Sequence, residues 1–444
     1  MGLCMKWAQW IGLVFILLSG GISIFWGISI ARATTGGPID FKAVYYGARC
    51  LLQHHNPYAE SELDEVYRAE DGASPKESLQ HHRLVTLFVN LPTTLLFIVP
   101  FAMLPFWFAQ ALWLFLLSAV LFLAAFLMWD IAGRNASAVS LFLVCILLAN
   151  CEVLFGTGNT AGIVVGLCVV AVWCFLEERF LLIGIFCLAA SLAIKPHDSG
   201  LVWLYFILAG GVYRKRALQA LSITVVLGLS AFLWVSHVAP DWMLHWHSNL
   251  AAISGPGGLN EAGPGSLTSR TAGMVIDLQA GLSIFRDDPR FYNPASYLIC
   301  GAMLTVWSLY SLRTRFTPVR AWFALAAVVP ITMLVTYHRP YDAKLLLLTV
   351  PACAFLWAEG GLIGWIALAA NTLGLVLTGD VPLAVVIGFA NNCHINTSGV
   401  FGKILMLVMT RPASLVLTVM GIFYLWMYVR RAKPDLEGGK IQTI

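Results

Sequence analysis

The chain has 444 residues, of which 59% are hydrophobic and only 11% are charged, and its formal net charge is +4. This composition excludes an ordinary soluble globular protein, because too few polar side chains remain to cover a surface that faces water. The small net charge, with Lys and Arg in short separate clusters, also excludes a nucleic-acid-binding surface. We therefore expect an integral membrane protein with no nucleic-acid partner.

Apolar runs recur from Trp7 to the residues before Arg430. A helix needs about 20 residues to cross a hydrocarbon layer of roughly 30 Å. Inside lipid the backbone must bond within its own segment, and these runs do not alternate as barrel strands do. The sequence predicts an all-α integral membrane fold, a bundle of about 11–14 transmembrane or re-entrant segments.

Six consecutive segments follow from the order of apolar and polar stretches. They are a first transmembrane helix at 7–31, a first outer loop with an amphipathic helix at 32–83, a core transmembrane bundle at 84–238, an outer polar loop at 239–293, a C-terminal transmembrane bundle at 294–430 and a cytoplasmic tail at 431–444.

The orientation rests on basic clusters at 213–216, 313–320 and 430–433, each of which follows an apolar run. The positive-inside tendency places these clusters in the cytoplasm. Strict alternation of the candidate spans, which include 84–104, 106–129 and 138–155, would put the first cluster outside. One segment between residues 84 and 194 is therefore expected to be re-entrant or broken.

The first outer loop contains a predicted helix. Its apolar residues fall at helical spacing and form one stripe, which predicts a helix lying on the membrane surface and ending before Asn56 and Pro57: Phe41, Val44, Tyr45, Ala48, Leu51 and Leu52. Asp40 stands where this helix begins. It could simply cap the helix N-terminus, or it could be a functional carboxylate.

Other charged groups return to the same predicted outer side. Lys195 ends one apolar run, and His338 and Arg339 lie between two others. Charges at the membrane edge usually have a role, although Lys195 and Arg339 could also be lipid-interface anchors. His245 and His247 lack an obvious third ligand, so we expect no metal site.

Several short motifs in a fixed order carry a family resemblance. They are residues 40–48 (DFKAVYYGA) with Leu51–Leu52, 56–58 (NPY), 90–92 (NLP) with Pro100 and 104–105 (LP), 156–159 (GTGN) and 194–196 (IKP). Together they resemble the GT-C superfamily of glycosyltransferases that use polyprenyl-phosphate sugars, and more narrowly glycosyltransferase family 87. His54–Asn56 and Thr157 depart from the family pattern, which bears on the substrate more than on the class.

The resemblance implies an inverting glycosyltransferase that moves a hexose, with mannose as the expected sugar, from a polyprenyl-phosphate donor to a lipid or glycan acceptor. Asp40 is the expected base, and Arg339, Lys195 and His338 are the expected ligands of the donor phosphate. Tyr45, Tyr46 and Asn159 are candidate sugar or acceptor contacts.

The expected location is the inner (plasma) membrane, with several spans and an extracytoplasmic active site. No cofactor is expected, although a divalent metal is not excluded, and the oligomeric state stays open. Two other classes are alternatives: a secondary transporter or flippase, for which no internal repeat is visible, and a ligase that joins preassembled lipid-linked glycans.

Overall fold

The computed structural model describes residues 2–34, 37–70, 79–263, 275–392 and 399–436. These residues form helices joined by short connections, and no strand occurs among them. In chain order the helices are α1 Gly2–Thr34, α2 Ile39–Leu52, α3 Glu60–Ala69, α4 Leu79–Thr86, α5 Pro92–Ala102, α6 Phe106–Ala149, α7 Glu152–Thr157, α8 Ala161–Leu176, α9 Leu181–Ile194, α10 Pro196–Ala209, α11 Gly211–Val238, α12 Trp242–Ser254, α13 Leu278–Ser283, α14 Pro289–Arg313, α15 Pro318–Val335, a 3-10 helix Asp342–Thr349, α16 Val350–Glu359, α17 Gly361–Leu377, α18 Asp380–Asn392, α19 Val400–Thr410 and α20 Pro412–Leu436.

Six of the described helices are long and apolar enough to cross a membrane, or seven if the bent pair α17 and α18 forms one span. The six contain the stretches Gln9–Thr34, Phe106–Ala149, Gly211–Val238, Pro289–Arg313, Pro318–Val335 and Pro412–Ala432. The predicted all-α integral membrane class is thereby confirmed. Shorter apolar helices fill the space between the long ones, and α8 is buried along almost its whole length.

Helix α5 accounts for the conflict between alternation and charge. At about 1.5 Å per residue its 11 residues extend about 16 Å, too short to cross the bilayer. Thr94 near its start donates to the carbonyl of Ile194 at 3.2 Å, and the carbonyl of Ala102 at its end accepts from Arg49 on α2 at 2.9 Å. Both ends thus lie on the side of the first outer loop. The segment predicted at 84–104 therefore enters and leaves at one end of the bundle, which removes the conflict with the charge rule at 213–216.

Helix α6 consists of two helices that meet at a sharp break, and they occupy the two spans that the sequence predicted at 106–129 and 138–155. Its 44 residues bend at Ala136, whose φ of −148° and ψ of 75° are not helical. Near the bend, Arg134 bonds Glu177 at 3.0 Å. Phe122 before the break and Cys145 after it lie against neighbouring residues of α1, Gly20 and Ser19. The two halves of α6 therefore run back along each other, and the polar residues at 133–137 mark the turn between them.

Helix α2 confirms the helix predicted in the first outer loop, and it ends at Leu52. It is buried on nearly every side rather than on one stripe, because α3, α4 and α5 cover it as well as the bundle. Tyr46, for example, packs against Tyr67 of α3 with ring centroids 4.9 Å apart. This covering fixes α2 against the outer end of the bundle.

Parts of four predicted segments fall outside the described residues. They are 35–36 and 71–78 of the first outer loop, 264–274 of the outer polar loop, 393–398 of the C-terminal transmembrane bundle and 437–444 of the predicted cytoplasmic tail.

Candidate active site

A cavity of about 390 Å³ lies at the outer end of the bundle. Its volume falls within the range of ligand-binding sites in proteins. Its walls include four of the residues predicted from the sequence, Asp40, Asn159, Lys195 and Arg339. These residues come from four separate parts of the chain, so the fold brings distant polar groups to one place.

Asp40 does not cap helix α2. The helix begins at Ile39, the cap position is Pro38, and no side chain makes a capping bond there. Instead, Oδ2 of Asp40 accepts a hydrogen bond from Nδ2 of Asn159 at 2.8 Å. Asn159 is held in turn, because its Oδ1 accepts from the backbone N–H of Ala161 at 2.9 Å. The carboxylate is thereby aimed into the cavity rather than along its own helix.

The turn before Asn159 depends on glycine. Gly158 has φ +67°, in the left-handed region that side-chain-bearing residues rarely adopt. A Cβ at Gly158 would also lie 2.8 Å from Cβ of Phe41, the residue after Asp40. The close approach of these two backbones is what brings Asn159 within reach of Asp40.

Lys195 lies at the break between α9 and α10. Its ammonium group pairs with Oδ1 of Asp342 and lies 3.4 Å from Oδ2 of Asp198. It also lies over the ring of Tyr341, 5.1 Å from the ring centroid. The side chain is only 15% exposed and lines the cavity, so Lys195 is not a lipid-interface anchor.

Arg339 is held on both its backbone and its side chain. Its N–H donates to Oδ2 of Asp342 at 2.8 Å, and Nε donates to the hydroxyl of Tyr337. Nη2 contacts the carbonyl of Leu259 and Oδ1 of Asn260, each at 3.3 Å. These bonds leave a fixed guanidinium at the cavity wall, which is the geometry a phosphate ligand requires.

His338 lies behind the cavity wall and is fully buried. Its Nδ1 is 2.8 Å from the carbonyl oxygen of Thr336, and its Nε2 is 3.4 Å from Oδ1 of Asp198. Burial lowers the pKa of His338, but the carboxylates of Asp198 and Asp342 raise this pKa by more, so the net shift is upward. His338 is not among the residues that line the cavity.

Tyr45 and Tyr46 also lie away from the cavity wall. The hydroxyl of Tyr45 donates to the carbonyl of Leu104 at 2.7 Å, and Tyr46 stacks on Phe106 with ring centroids 5.8 Å apart. Both tyrosines therefore attach α2 to the start of α6.

Several wall residues were not assigned a role from the sequence. His197, Asn260, Tyr337 and Tyr341 line the cavity, and Asp342 holds both of its cations. Four of these five stand in the same short motifs as Lys195 and Arg339, 195–198 (KPHD) and 337–342 (YHRPYD). Their position in these two motifs could have identified the four residues from the sequence. Asn260 could not be identified in this way, because only the folding of the outer polar loop brings it to the cavity.

An apolar cavity of about 220 Å³ adjoins the polar one. The two share the wall residues Thr160 and Ile194. The other residues of this second cavity, hereafter the apolar cavity, come from α5, α6 and α8: Thr94, Phe97, Ile98, Phe101, Trp113, Leu116, Val120, Ile163 and Leu167. A polar site thus lies directly beside a hydrocarbon-lined one.

Comparison with protein families gives one match. Residues 88–336, more than half of the chain, match the model of glycosyltransferase family 87. The match includes Asn159 and Lys195, while Asp40 precedes it and Arg339 follows it. No curated protein and no solved structure matches the chain.

Proposed function

The chain belongs to glycosyltransferase family 87, and we propose that it is an inverting hexosyltransferase that uses a polyprenyl-phosphate sugar. Mannose is the hexose that the sequence resemblance implies. The observation that carries the proposal is that one cavity joins a carboxylate, Asp40, to two fixed cations, Lys195 and Arg339.

Asp40 is the proposed base. In an inverting transfer the acceptor oxygen attacks the anomeric carbon from the face opposite the phosphate, and the acceptor hydroxyl loses its proton. That proton passes to the Asp40 carboxylate as the new C–O bond forms and the bond from carbon to phosphate oxygen breaks. Asn159 fixes one carboxylate oxygen at 2.8 Å, which orients the other toward the acceptor.

The departing polyprenyl phosphate takes up negative charge as this bond breaks. Fixed cations in a partly water-excluded site stabilise that charge without having to reorganise. Arg339 supplies a planar fork of donors, and Lys195 supplies a compact positive charge. Asp342 holds both cations at the cavity wall, through the Arg339 N–H at 2.8 Å and through the Lys195 ammonium group.

The apolar cavity supports a lipid-linked donor. A polyprenyl chain needs a hydrocarbon environment next to its phosphate, and Thr160 and Ile194 are common to both cavities. We assign the first isoprenoid units to the apolar cavity and the phosphate to the polar one.

The same arrangement supports an extracytoplasmic reaction in the inner membrane. The cavity lies at the end of the bundle opposite the basic clusters, which the positive-inside tendency assigns to the cytoplasm. The acceptor, a lipid or a glycan, then reaches Asp40 from outside. Tyr45, Tyr46 and His338 contribute by supporting the wall, because none of the three lines the cavity.

The decisive experiment measures transfer by purified protein from labelled polyprenyl-phosphate mannose to extracted membrane lipids. Asp40→Asn keeps the shape of the side chain but removes the base, so we expect kcat to fall about 10³-fold. Asp287→Asn is the matched control, because Asp287 is an exposed carboxylate at the same end of the bundle.

Equal rates for Asp40→Asn and the wild-type protein would refute the assignment of the base. The size of the product tests the class: growth by a single hexose agrees with the proposal, whereas growth by a whole oligosaccharide identifies a ligase.

A further inference from the structure

Three side chains with metal-binding atoms converge beside the polar cavity. Oδ1 of Asp198 lies 3.4 Å from Nε2 of His338 and 3.7 Å from Nε2 of His197. One ligand atom from each of the three residues lies within 4.8 Å of the other two. His197 and Asp198 come from the start of α10, and His338 comes from the loop after α15. Only the fold brings them together.

Two of the three residues are buried without hydrogen bonds at the point of convergence. Asp198 and His338 are 0% exposed. Within the part of the chain that the structure describes, neither carboxylate oxygen of Asp198 nor Nε2 of His338 has a hydrogen-bond partner. A buried polar atom left in this state costs about 1–3 kcal/mol, and more if it is charged. Asp198 has Lys195 and His338 each at 3.4 Å, so charged contacts surround its carboxylate without a hydrogen bond to it.

The orientation of His338 directs its Nε2 toward this point. Nδ1 lies 2.8 Å from the carbonyl oxygen of Thr336, and a carbonyl can only accept, so Nδ1 carries a hydrogen. Nε2 then faces Asp198 either with a lone pair or with a second proton. Donation of the other ring N–H to a backbone carbonyl is the usual support of a metal-binding histidine.

A second proton on His338 would satisfy only the contact with Asp198. Nε2 of His197 faces the same carboxylate oxygen at 3.7 Å, too far for a hydrogen bond, so the two histidines converge on one oxygen without bonding it. Lys195 does not fill the site either, because it approaches the other oxygen, Oδ2, and pairs with Asp342. A divalent cation between the three ligand atoms satisfies all of them at once.

We propose that His197, Asp198 and His338 bind a divalent cation of the zinc type, with one coordination position open to the polar cavity. Bonds of about 2.1 Å in a tetrahedral site separate the ligand atoms by about 3.4 Å. The separations from Asp198 are 3.4 Å and 3.7 Å, and all three ligand atoms lie within 4.8 Å of one another, so a shift of the exposed His197 side chain would bring the set to this geometry. Two imidazoles with one carboxylate, and a free fourth position, are the ligand set of catalytic zinc sites.

The open position faces the proposed donor phosphate. The side chain of His197 is 37% exposed and lines the polar cavity together with Lys195 and Arg339. A cation held at this point would lie beside the wall that carries Lys195 and Arg339 and could bind a phosphate oxygen there. This role rests on the proposed function, whereas the binding site itself does not.

The test measures metal binding without donor or acceptor. The full chain, purified in detergent, is stripped with a chelator and titrated with Zn²⁺ for stoichiometry and with Co²⁺ for its visible spectrum. We expect one cation per chain, a tetrahedral Co²⁺ spectrum, and at least 100-fold weaker binding in Asp198→Asn and in His338→Gln.

His245→Ala is the matched control, since it removes a histidine 3.1 Å from Asp241 at the same end of the bundle. It should keep the full stoichiometry. Gel filtration and circular dichroism identify any variant that fails to fold, and His197→Ala, at the exposed ligand, provides a second route to the same result.

The proposal is overturned if the wild-type protein binds no stoichiometric cation, or if the folded Asp198 and His338 variants bind as tightly as wild type. Transfer assays on the metal-free and metal-loaded protein address the role separately. Stoichiometric binding with equal rates in the two forms would keep the site and reject its contact with the donor phosphate. Loss of transfer in both forms would count against the proposed function and leave the site standing.

Discussion

Two groups of buried charges lie toward the outer half of this protein, and they differ in what surrounds them. The cavity cluster consists of Lys195, Asp198, His338 and Asp342, and it borders the cavity that Lys195 lines. The enclosed cluster consists of Glu152, Lys344 and Asp380, none of which lines that cavity. Both groups would attract attention in a sequence, because charges in apolar runs are costly.

The enclosed cluster is bonded to the backbone, although Oε2 of Glu152 and Oδ1 of Asp380 have no hydrogen-bond partner within the described part of the chain. Lys344 donates to the carbonyls of Asn150 and Thr378, the latter at 3.5 Å. Oδ2 of Asp380 accepts from the N–H of Val153 at 2.9 Å. These bonds connect the 3-10 helix and the start of α18 to the start of α7. The group therefore fixes the helix that leads into the Asn159 turn.

The difference shows that burial of a charge does not by itself identify a catalytic group. In the enclosed cluster the charges support the backbone next to the site. In the cavity cluster they hold side chains that open toward a ligand. Three substitutions test this division, and their expected effects decrease from the first to the third.

The first change is Arg339→Met. Loss of a fixed donor to the departing phosphate should lower kcat about 10²–10³-fold, because stabilisation of developing charge is lost. Arg339→Lys should recover part of the rate, since it restores the charge without the fork. The apparent midpoint of thermal unfolding should stay close to that of the wild-type protein.

Arg286→Met is the matched control for Arg339, because Arg286 is an exposed arginine that pairs with Asp288 at 2.7 Å. Its rate should match that of wild type. A large fall in thermal stability for Arg339→Met would show instead that Arg339 has a structural role, like the enclosed cluster.

The second change is Lys344→Met in the enclosed cluster. Removing this charge breaks the bonds of Lys344 to two backbone carbonyls and leaves the Glu152 and Asp380 carboxylates without the cation that acts on both. Leaving buried charges uncompensated typically costs about 3–5 kcal/mol. We expect a fall of several degrees in the apparent unfolding midpoint, measured by intrinsic fluorescence, with kcat per folded molecule within about 3-fold of wild type.

Lys215→Met is the comparison for Lys344, because Lys215 is an exposed lysine in a basic cluster. It should leave both quantities unchanged. A Lys344→Met protein that is as stable as wild type but inactive would contradict the structural role given to the enclosed cluster.

The third change is Leu167→Phe in the apolar cavity. Filling space that the first isoprenoid units would occupy should raise KM for a long polyprenyl donor about 10-fold, from an overpacking cost of about 1–3 kcal/mol. A donor with a much shorter isoprenoid chain should be affected less. Kinetics with the two donors measure the difference.

Leu123→Phe on the exposed face of α6 controls for the added ring, because Leu123 is 48% exposed. If Leu167→Phe affected both donors equally, the assignment of the lipid chain to the apolar cavity would be wrong.

Some features were predicted correctly from local patterns. The membrane class followed from 59% hydrophobic composition, and helix α2 followed from the spacing of its apolar residues. The family followed from short motifs in order and is confirmed by the match over 88–336. These properties depend on overall composition and on residues that are close together in the chain, so they can be read directly from the sequence.

Other features appeared only in the tertiary structure. The alternation of predicted membrane spans could not show that both ends of α5 lie at the same end of the bundle. That arrangement depends on bonds from the two ends of α5 to Ile194 and Arg49. Its position at the start of a helix left Asp40 open as a cap or a functional carboxylate, whereas a contact with Asn159 across 119 positions directs it into the cavity. Likewise, no spacing in the sequence connects His338 with residues 197 and 198, which the fold places together. The sequence by itself determined the solvent, the helices and the family, whereas long-range packing decided which charges face the cavity and which support the backbone behind it.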